Sequence, residues 1–210
     1  MLLSSLNYGA FLAYSPRGTD SKAKDSKNFM YAVKQDKNVH IQERDVSTSE
    51  FIAELIKDEL NDLPFNDFFG PYVYLVPVPK SSPVKEGTLW VPRNIVNAFS
   101  NQGLGKPFIC LERIEAVKKS AFSEPKDRPK ASEHFRTIQI KSDLQRIENV
   151  EEIVLVDDLV TRGSTLLGSA SRLSQVFPNA SIRAFAVIRT ISNLGEFRKI
   201  KDPCIGIIEL

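Results

Sequence analysis

Two adjacent acids and a cluster of hydroxyl residues stand close together in segment 153–165, which reads IVLVDDLVTRGST. Asp157 and Asp158 follow an apolar run, and the hydroxyl residues surround the glycine at 163. Successive backbone N–H groups at the start of a helix bind phosphate well, because the helix dipole adds positive potential there. Neighbouring carboxylates instead accept hydrogen bonds from vicinal hydroxyls, or hold Mg²⁺ directly or through water. The segment therefore predicts two adjacent subsites with different ligands.

Together, the two subsites fit a sugar phosphate whose diol contacts the acids and whose phosphate contacts the loop. A ribose 5-phosphate group has both features. An alternative stays open: the hydroxyl of Ser164 or Thr161 only caps a helix, and the acids end a strand in solvent. Two acids placed directly after a four-residue buried run, and followed by the hydroxyl-glycine loop, favour the ligand site.

Apolar patterns predict the elements that would position this segment. Runs rich in β-branched and aromatic residues, which are typical of buried strands, occur at 8–14, 72–78, 107–111, 134–140, 151–156 and 181–190. Helical spacing of apolar residues occurs at 47–60, from Pro92 onwards and at 164–177. This alternation predicts an α/β fold with a mainly parallel central sheet flanked by helices. In such sheets ligands bind at the carboxyl ends of the strands, where Asp157 and Asp158 fall.

Two further local predictions come from composition along the chain. Ser47 and Glu50 have the spacing of a capping box, which predicts where the first of these helices begins. Residues 15–28, SPRGTDSKAKDSKN, are polar and predict a loop.

The overall composition narrows the class of protein. With 42% apolar and 26% charged residues among 210, the chain has the composition of a soluble globular protein. A net charge of +2 is too small to favour nucleic-acid binding. Cys110 and Cys204 lack a metal-binding spacing and are expected to be free thiols. Residues 1–14 have no basic leader and are fewer than the ~20 apolar residues that span a bilayer, so we expect a cytoplasmic protein with no membrane segment.

The segment VLVDDLVTRGST resembles the phosphoribosyl-diphosphate (PRPP) binding motif of type I phosphoribosyltransferases, which have a Rossmann-like core. The resemblance implies that Asp157 and Asp158 contact the ribose hydroxyls and Mg²⁺, directly or through water, and belong to the catalytic site. It also implies that the 5-phosphate lies in a loop formed by Thr161, Arg162, Gly163, Ser164 and Thr165. Arg162 departs from the motif, because a second small hydroxyl residue is frequent at its position.

The upstream segment YLVPVPKSS resembles the diphosphate loop of the same family, and its PVP is similar to the competence-type (ComF-like) branch. The resemblance implies that Pro79, Lys80 and Ser81 bind pyrophosphate. From charge alone, a solvated surface lysine fits Lys80 equally well.

The similarity continues through LERIEAVKKSAFSEPKDR, where the family has a flexible loop that closes over PRPP. It implies a mobile loop at about 112–134 that excludes water during the reaction. Candidate cations in it are Arg113 and Lys119 for pyrophosphate binding, and Lys118 and Arg128 for catalysis. A charge run is also typical of a solvated face. His134 is given no role, because a lone histidine at a strand edge is more often structural.

The resemblance covers residues 71–210, which are predicted to form the core. Competence-type proteins commonly carry a zinc-binding cysteine cluster before this core, whereas the first cysteine here is Cys110. Residues 1–70 are therefore predicted to be a separate N-terminal segment, either a hood over the site or an extension of the sheet.

Three functions are compatible with these patterns. The first is a Mg²⁺-dependent phosphoribosyltransferase that transfers ribose 5-phosphate from PRPP to a nitrogenous base and releases pyrophosphate. The second is a non-catalytic regulator that binds PRPP or a nucleotide, and the third is a plain α/β scaffold. Under the first function the partners are small molecules, and the family resemblance adds an expected homodimer.

Overall fold

The computed structural model describes residues 1–41, 43–118, 129–144 and 150–210. Within these ranges the strands are β1 Ser5–Tyr14, β2 Asn38–Ile41, β3 Arg44–Ser47, β4 Tyr74–Pro77, β5 Lys106–Pro107, β6 Leu111–Arg113, β7 Ile138–Ile140, β8 Glu152–Val160, β9 Ser181–Thr190 and β10 Lys201–Glu209. The α-helices are α1 Ser21–Gln35, α2 Thr48–Glu59, α3 Val91–Asn101, α4 Ala131–Thr137 and α5 Ser164–Val176.

A six-stranded sheet in the order β10-β1-β9-β8-β4-β5 forms the centre of the fold. Its neighbours pair in parallel from β1 to β5, and only β10, at one edge, runs antiparallel to β1. Two small antiparallel ladders, β2-β3 and β6-β7, lie outside it. The predicted α/β fold with a mainly parallel central sheet flanked by helices is confirmed.

Strand β8 shows why the sheet is covered on both faces, because its successive side chains point to opposite sides. Val154 and Val156 belong to a core with apolar residues of α1, α2 and α3, whereas Ile153 and Leu155 pack with those of α5. Phe185 of β9 adds edge-on ring contacts in the first core, for example 5.2 Å between ring centroids to Phe65 and to Phe69. A strand buried on both faces reads as a continuous apolar run, as 153–156 does.

Most of the predicted elements are present in the structure. Strands β1, β4, β8 and β9 and helices α2, α3 and α5 lie within one to four residues of their predicted ends. The capping box is confirmed: the Ser47 Oγ accepts from the Glu50 N–H at 3.2 Å, and the Ser47 N–H donates to the Glu50 carboxylate at 2.9 Å.

The loop predicted at 15–28 is confirmed for residues 15–20 and wrong beyond them, because helix α1 begins at Ser21. The Asp20 side chain caps this helix by accepting the Ala23 N–H at 2.7 Å. The helix is mostly polar, and only Ala23, Ser26, Met30 and Val33 are buried. Its apolar stripe is therefore too thin to be recognised from sequence.

The single loop predicted at about 112–134 is also corrected at both ends. Strand β6 continues to Arg113, and α4 occupies most of the region predicted as strand 134–140, leaving only β7 as strand. Helix α4 has seven residues, too few to show a helical period. Lys119 and Arg128 lie outside the described residues, so their roles stay predictions.

Strand β1 lies between β9 and β10, so residues 1–70 contribute directly to the central sheet. Cys110 is buried, Cys204 is partly buried, and both are free thiols. None of the helices in the described parts of the chain is both long and apolar enough to cross a bilayer.

Candidate functional site

A cavity of about 400 Å³ opens where the chain leaves β4 and β8. These strands are neighbours, and their connections diverge: the chain goes from β4 to β5 on one side and from β8 to β9 on the other. Ligands bind at such a switch point in open parallel sheets. The lining residues are Lys34, Val78, Pro79, Lys80, Ser81, Leu89, Trp90, Val91, Pro92, Arg113, Val117, Lys118, His134, Asp157, Asp158 and Thr165.

The acidic pair, Asp157 and Asp158, projects into this cavity because β8 is longer than its neighbour β4. Pairing with β4 ends at Pro77 opposite Val156, and a last hydrogen bond joins the Val78 N–H to the Val156 carbonyl at 2.9 Å. The acids are the next two residues. The Asp158 N–H donates to the Asp157 Oδ1 at 2.9 Å, which fixes the first carboxylate against the backbone of the second.

The two acids differ in charge environment. Burial raises the pKa of Asp157 well above its ordinary value, and the negative charge of Asp158 raises it further. Asp158 instead has a cation beside it, the Lys34 ammonium 3.0 Å from its Oδ2. Burial lowers the pKa of Lys34, but the charges of Asp158 and Asp157 outweigh that effect and the pKa is raised. Lys34 is 124 residues from Asp158 and is not among the site residues predicted from sequence.

The predicted phosphate loop forms the turn between β8 and α5. Gly163 has φ of +74° and precedes the first helical residue, Ser164. Thr161 and Arg162 are exposed, and the Thr161 hydroxyl contacts that of Thr190 at 3.0 Å. Among residues 161–165, Thr165 lines the cavity. The N-terminus of a 13-residue helix therefore stands beside the acidic pair.

The predicted diphosphate loop, Pro79 to Ser81, also lines the cavity, and hydrogen bonds to its backbone carbonyls and to that of the preceding Val78 hold it in place. The Trp90 indole N–H donates to the Val78 carbonyl at 2.9 Å. The Arg113 Nε donates to the Lys80 carbonyl at 2.9 Å, and the Val117 N–H donates to the Ser81 carbonyl at 2.8 Å. Its Lys80 ammonium lies 3.3 Å from the Thr88 hydroxyl.

Arg113 is a buried cation, 3% exposed, that contacts this loop and lines the cavity. Besides the Lys80 carbonyl, its guanidinium donates to the Thr137 hydroxyl at 2.6 Å and contacts the His134 Nδ1 at 3.2 Å. Burial lowers the pKa of Arg113 to about 10, so it is charged at neutral pH. These hydrogen bonds fix the predicted diphosphate loop. Because Arg113 also lines the cavity, its own contact with pyrophosphate, which the resemblance implies, stays a prediction.

His134, left without a role by sequence, joins the two predicted loops. Because Arg113 can only donate, the His134 Nδ1 must accept, and its Nε2 therefore carries the proton. The Nε2–H then donates to the Thr165 hydroxyl at 3.3 Å. Helix α5 allows this approach at Gly168, where an added Cβ would lie 2.6 Å from the His134 Cβ. A chain of hydrogen bonds thus runs from the Lys80 carbonyl through Arg113 and His134 to Thr165.

Acidification is expected to destabilise the protein through His134. Burial, with the adjacent Arg113 charge, lowers the pKa of His134 from 6.5 to about 4. Between these values the unfolded chain binds a proton that the folded protein does not, so stability falls as pH drops from about 6.5 to about 4, by up to about 3 kcal/mol.

Urea unfolding of the wild type, His134→Gln and His40→Gln at several pH values measures this effect. His134→Gln should flatten the pH dependence in this window, whereas His40, an exposed histidine paired with Asp45, serves as the matched control. Equal slopes in wild type and His134→Gln would contradict the expectation.

Comparisons with known proteins add only distant structural similarity. No protein-family model matches the sequence, and no curated protein matches it either. A hypoxanthine phosphoribosyltransferase from Staphylococcus aureus is similar in structure at 12% identity and a TM-score of 0.36, covering 71% of this chain and 75% of that one. A hypoxanthine phosphoribosyltransferase from Trypanosoma cruzi is similar at 14% identity and a TM-score of 0.34, covering 77% and 88%. TM-scores this low do not establish a correspondence between site residues.

Proposed function

We propose that the protein is a phosphoribosyltransferase that moves the ribose 5-phosphate group of PRPP to a nitrogenous acceptor and releases pyrophosphate. The observation that carries this proposal is that two chemically different groups of residues line the same cavity. The first group is the acidic pair with Thr165 at the start of α5, and the second is the loop bearing Lys80. A ligand with a diol, a monophosphate and a diphosphate matches these groups in kind.

In the proposed reaction, the acceptor nitrogen forms a bond to C1 of the ribose while the bond from C1 to the diphosphate oxygen breaks. The electron pair of that bond leaves with pyrophosphate, and the acceptor then loses its proton to solvent. Asp157 and Asp158 hold the ribose hydroxyls, which fixes C1 between acceptor and leaving group. The ring passes through an oxocarbenium-like state, as in glycoside cleavage, so the nearby carboxylates also offset its developing positive charge.

The lysines that line the cavity would stabilise the departing diphosphate. Lys80 and Lys118 both line the cavity and supply positive charge, and Ser81 adds a hydroxyl donor. Arg113 would act by holding the Lys80 carbonyl, so that the lysine keeps its place as charge accumulates on the leaving group. At the other end, Ser164 and Thr165 would meet the 5-phosphate with backbone N–H and hydroxyl groups.

Mg²⁺ fits this site as an ion held mainly by the substrate. Asp157 and Asp158 offer carboxylate oxygens, but no group of three His, Cys, Asp or Glu side chains suitable for a metal occurs in the described parts of the chain. Mg²⁺ commonly binds through one or two carboxylates together with substrate phosphates and water. When bound, it would offset negative charge on the leaving diphosphate.

The second candidate function is a regulator that binds PRPP in the same cavity without transferring its ribose 5-phosphate group. An activity assay distinguishes the regulator from the transferase. Purified protein is incubated with PRPP, Mg²⁺ and a panel of bases and amines, and pyrophosphate release is followed. We expect release with at least one acceptor and little release without any. PRPP binding with no release under any acceptor would favour the regulator, and absence of PRPP binding would contradict both.

Three finer assignments are proposed from the sequence alone. The likeness of the PVP segment to the competence-type branch and a homodimer come from the family resemblance, and a cytoplasmic location comes from the composition of residues 1–14. The acceptor would contact cavity-lining residues outside the two predicted loops, such as Lys34, Leu89 and Trp90.

A further inference from the structure

Lys34 places a fixed positive charge against the acidic pair. Its ammonium lies 3.0 Å from the Asp158 Oδ2 and lines the same cavity as Asp157. The Asp158 side chain is 16% exposed and that of Lys34 39%, so the contact lies at the cavity wall. The carboxylate in question is one that the proposed function assigns to the ribose or to Mg²⁺.

The scaffold, and not only the reach of a long side chain, sets this contact. Asp36 is the C-cap residue that follows helix α1, and it has the left-handed conformation with φ of 45°. The Asp36 Oδ1 accepts from the Ser49 N–H at 2.9 Å and from its hydroxyl at 2.7 Å. The Asp36 Oδ2 accepts from the Asn94 side-chain amide at 2.7 Å. The last turn of α1, which carries Lys34, is therefore tied to both α2 and α3.

The position of Lys34 bears directly on metal binding. Two adjacent carboxylates repel each other, and a divalent cation commonly relieves that repulsion. Here an ammonium already contacts Asp158. A metal ion that binds the free protein would have to displace this ammonium or be repelled by it at short range. Among the described residues, no group of three His, Cys, Asp or Glu side chains could offset that repulsion by holding the ion.

We propose that Lys34 is the resident cation of the acidic pair, so that the protein takes up a divalent metal ion there only together with a diphosphate ligand. The uptake of metal together with a diphosphate ligand rests on the proposed function, whereas the role of Lys34 as resident cation concerns the free protein alone. Lys34 is thus a residue that keeps the pair charge-compensated and open to a sugar diol between turnovers.

Mn²⁺ binding followed by electron paramagnetic resonance tests the inference without relying on activity. The wild type should bind Mn²⁺ alone weakly, and Lys34→Met should bind it about tenfold tighter or more, because a unit positive charge next to the carboxylate is removed. Lys34→Arg keeps the charge and should behave as the wild type. Adding Asp158→Asn to Lys34→Met should abolish the gain, which locates the ion.

The matched control is Lys24→Met, which removes an exposed lysine ten residues earlier on the same helix, about 15 Å along its axis. Thermal unfolding checks that each variant is folded, and Lys34→Gln replaces Lys34→Met if the latter is not. Wild-type protein that binds Mn²⁺ alone as tightly as Lys34→Met would overturn the inference.

A second arm adds PRPP to the wild type. An increase in bound Mn²⁺ on adding PRPP supports the inference, and PRPP binding without such an increase overturns it. If PRPP binds to no variant at all, the proposed function fails, while the arms with Mn²⁺ alone still decide the role of Lys34.

Discussion

Asp157→Asn is expected to stabilise the ligand-free protein while weakening PRPP binding about 10- to 100-fold. Burial and the Asp158 charge raise the pKa of Asp157 above its unfolded value, so the ionised carboxylate destabilises the fold at neutral pH. The sign follows from linkage: the folded protein binds the proton more tightly, and stability declines as pH rises through the folded pKa. A neutral amide removes this penalty. It also removes a charged acceptor for a ribose hydroxyl, worth about 1.5–3 kcal/mol.

Asp158→Asn is the matched comparison, because it changes the neighbouring residue in the same way. Asp158 is paired with Lys34, so its loss should lower the stability of the ligand-free protein, by about 1 kcal/mol or less for a partly exposed pair. Thermal unfolding with and without PRPP gives both quantities for each variant. Equal PRPP-induced stabilisation in the wild type and in a variant that combines Asp157→Asn with Asp158→Asn would mean that the acidic pair does not contact the ligand.

Gly163→Ala is expected to destabilise the protein by about 2–5 kcal/mol, a large share of the total stability of a domain. Gly163 has φ of +74°, which costs a side-chain-bearing residue about 1–2 kcal/mol. In addition, the new Cβ would lie 2.5–2.7 Å from three carbons of Ile208, and such overpacking costs about 1–3 kcal/mol. Because Gly163 precedes the first turn of α5, relief of the clash would shift the predicted phosphate loop and weaken PRPP binding as well.

Gly103→Ala separates the two causes of this effect. Gly103 has a similar φ of +72°, but nothing lies within 4 Å of its added Cβ. Only the free-energy cost of the positive φ therefore applies to Gly103→Ala. Urea unfolding should place Gly103→Ala at about 1–2 kcal/mol of destabilisation. If Ile208 is also truncated to Ala, the added cost of Gly163→Ala should be smaller than in the wild-type background, because the clash with Ile208 is removed. Equal losses for Gly103→Ala and Gly163→Ala would show that contact with β10 has no influence.

The strand-loop-helix segment at 153–165 could be predicted because its information is local. A strand buried on both faces gives an unbroken apolar run, and a helix start beside acids gives a recognisable spacing. Strand β10 was not predicted, since its side chains alternate between partly buried and exposed positions and include Gly206 and Pro203. The sequence predicts a loop and then a strand over the residues of α4, because its seven residues are too few to display a helical period.

The residues that the sequence left out act through distant contacts. Lys34 lies in a helix of low apolar content, and its meaning depends on a carboxylate 124 positions away. His134 gains its role from Arg113, 21 positions earlier, and from Thr165, 31 positions later. No local rule links these positions, because the sheet order and the packing of α4 on α5 bring them together.

The place of β1 in the sheet sets the order in which the protein can complete its folding during synthesis. Residues Tyr8–Tyr14 pair with Ala184–Thr190, and the other edge of β1 pairs with residues 201–209. Contacts this distant in sequence close slowly, since the entropy of a long loop is lost before the pairing is gained. We therefore expect the first strand to leave the ribosome long before its partners, and to depend on chaperones or on late, cooperative docking to complete the sheet.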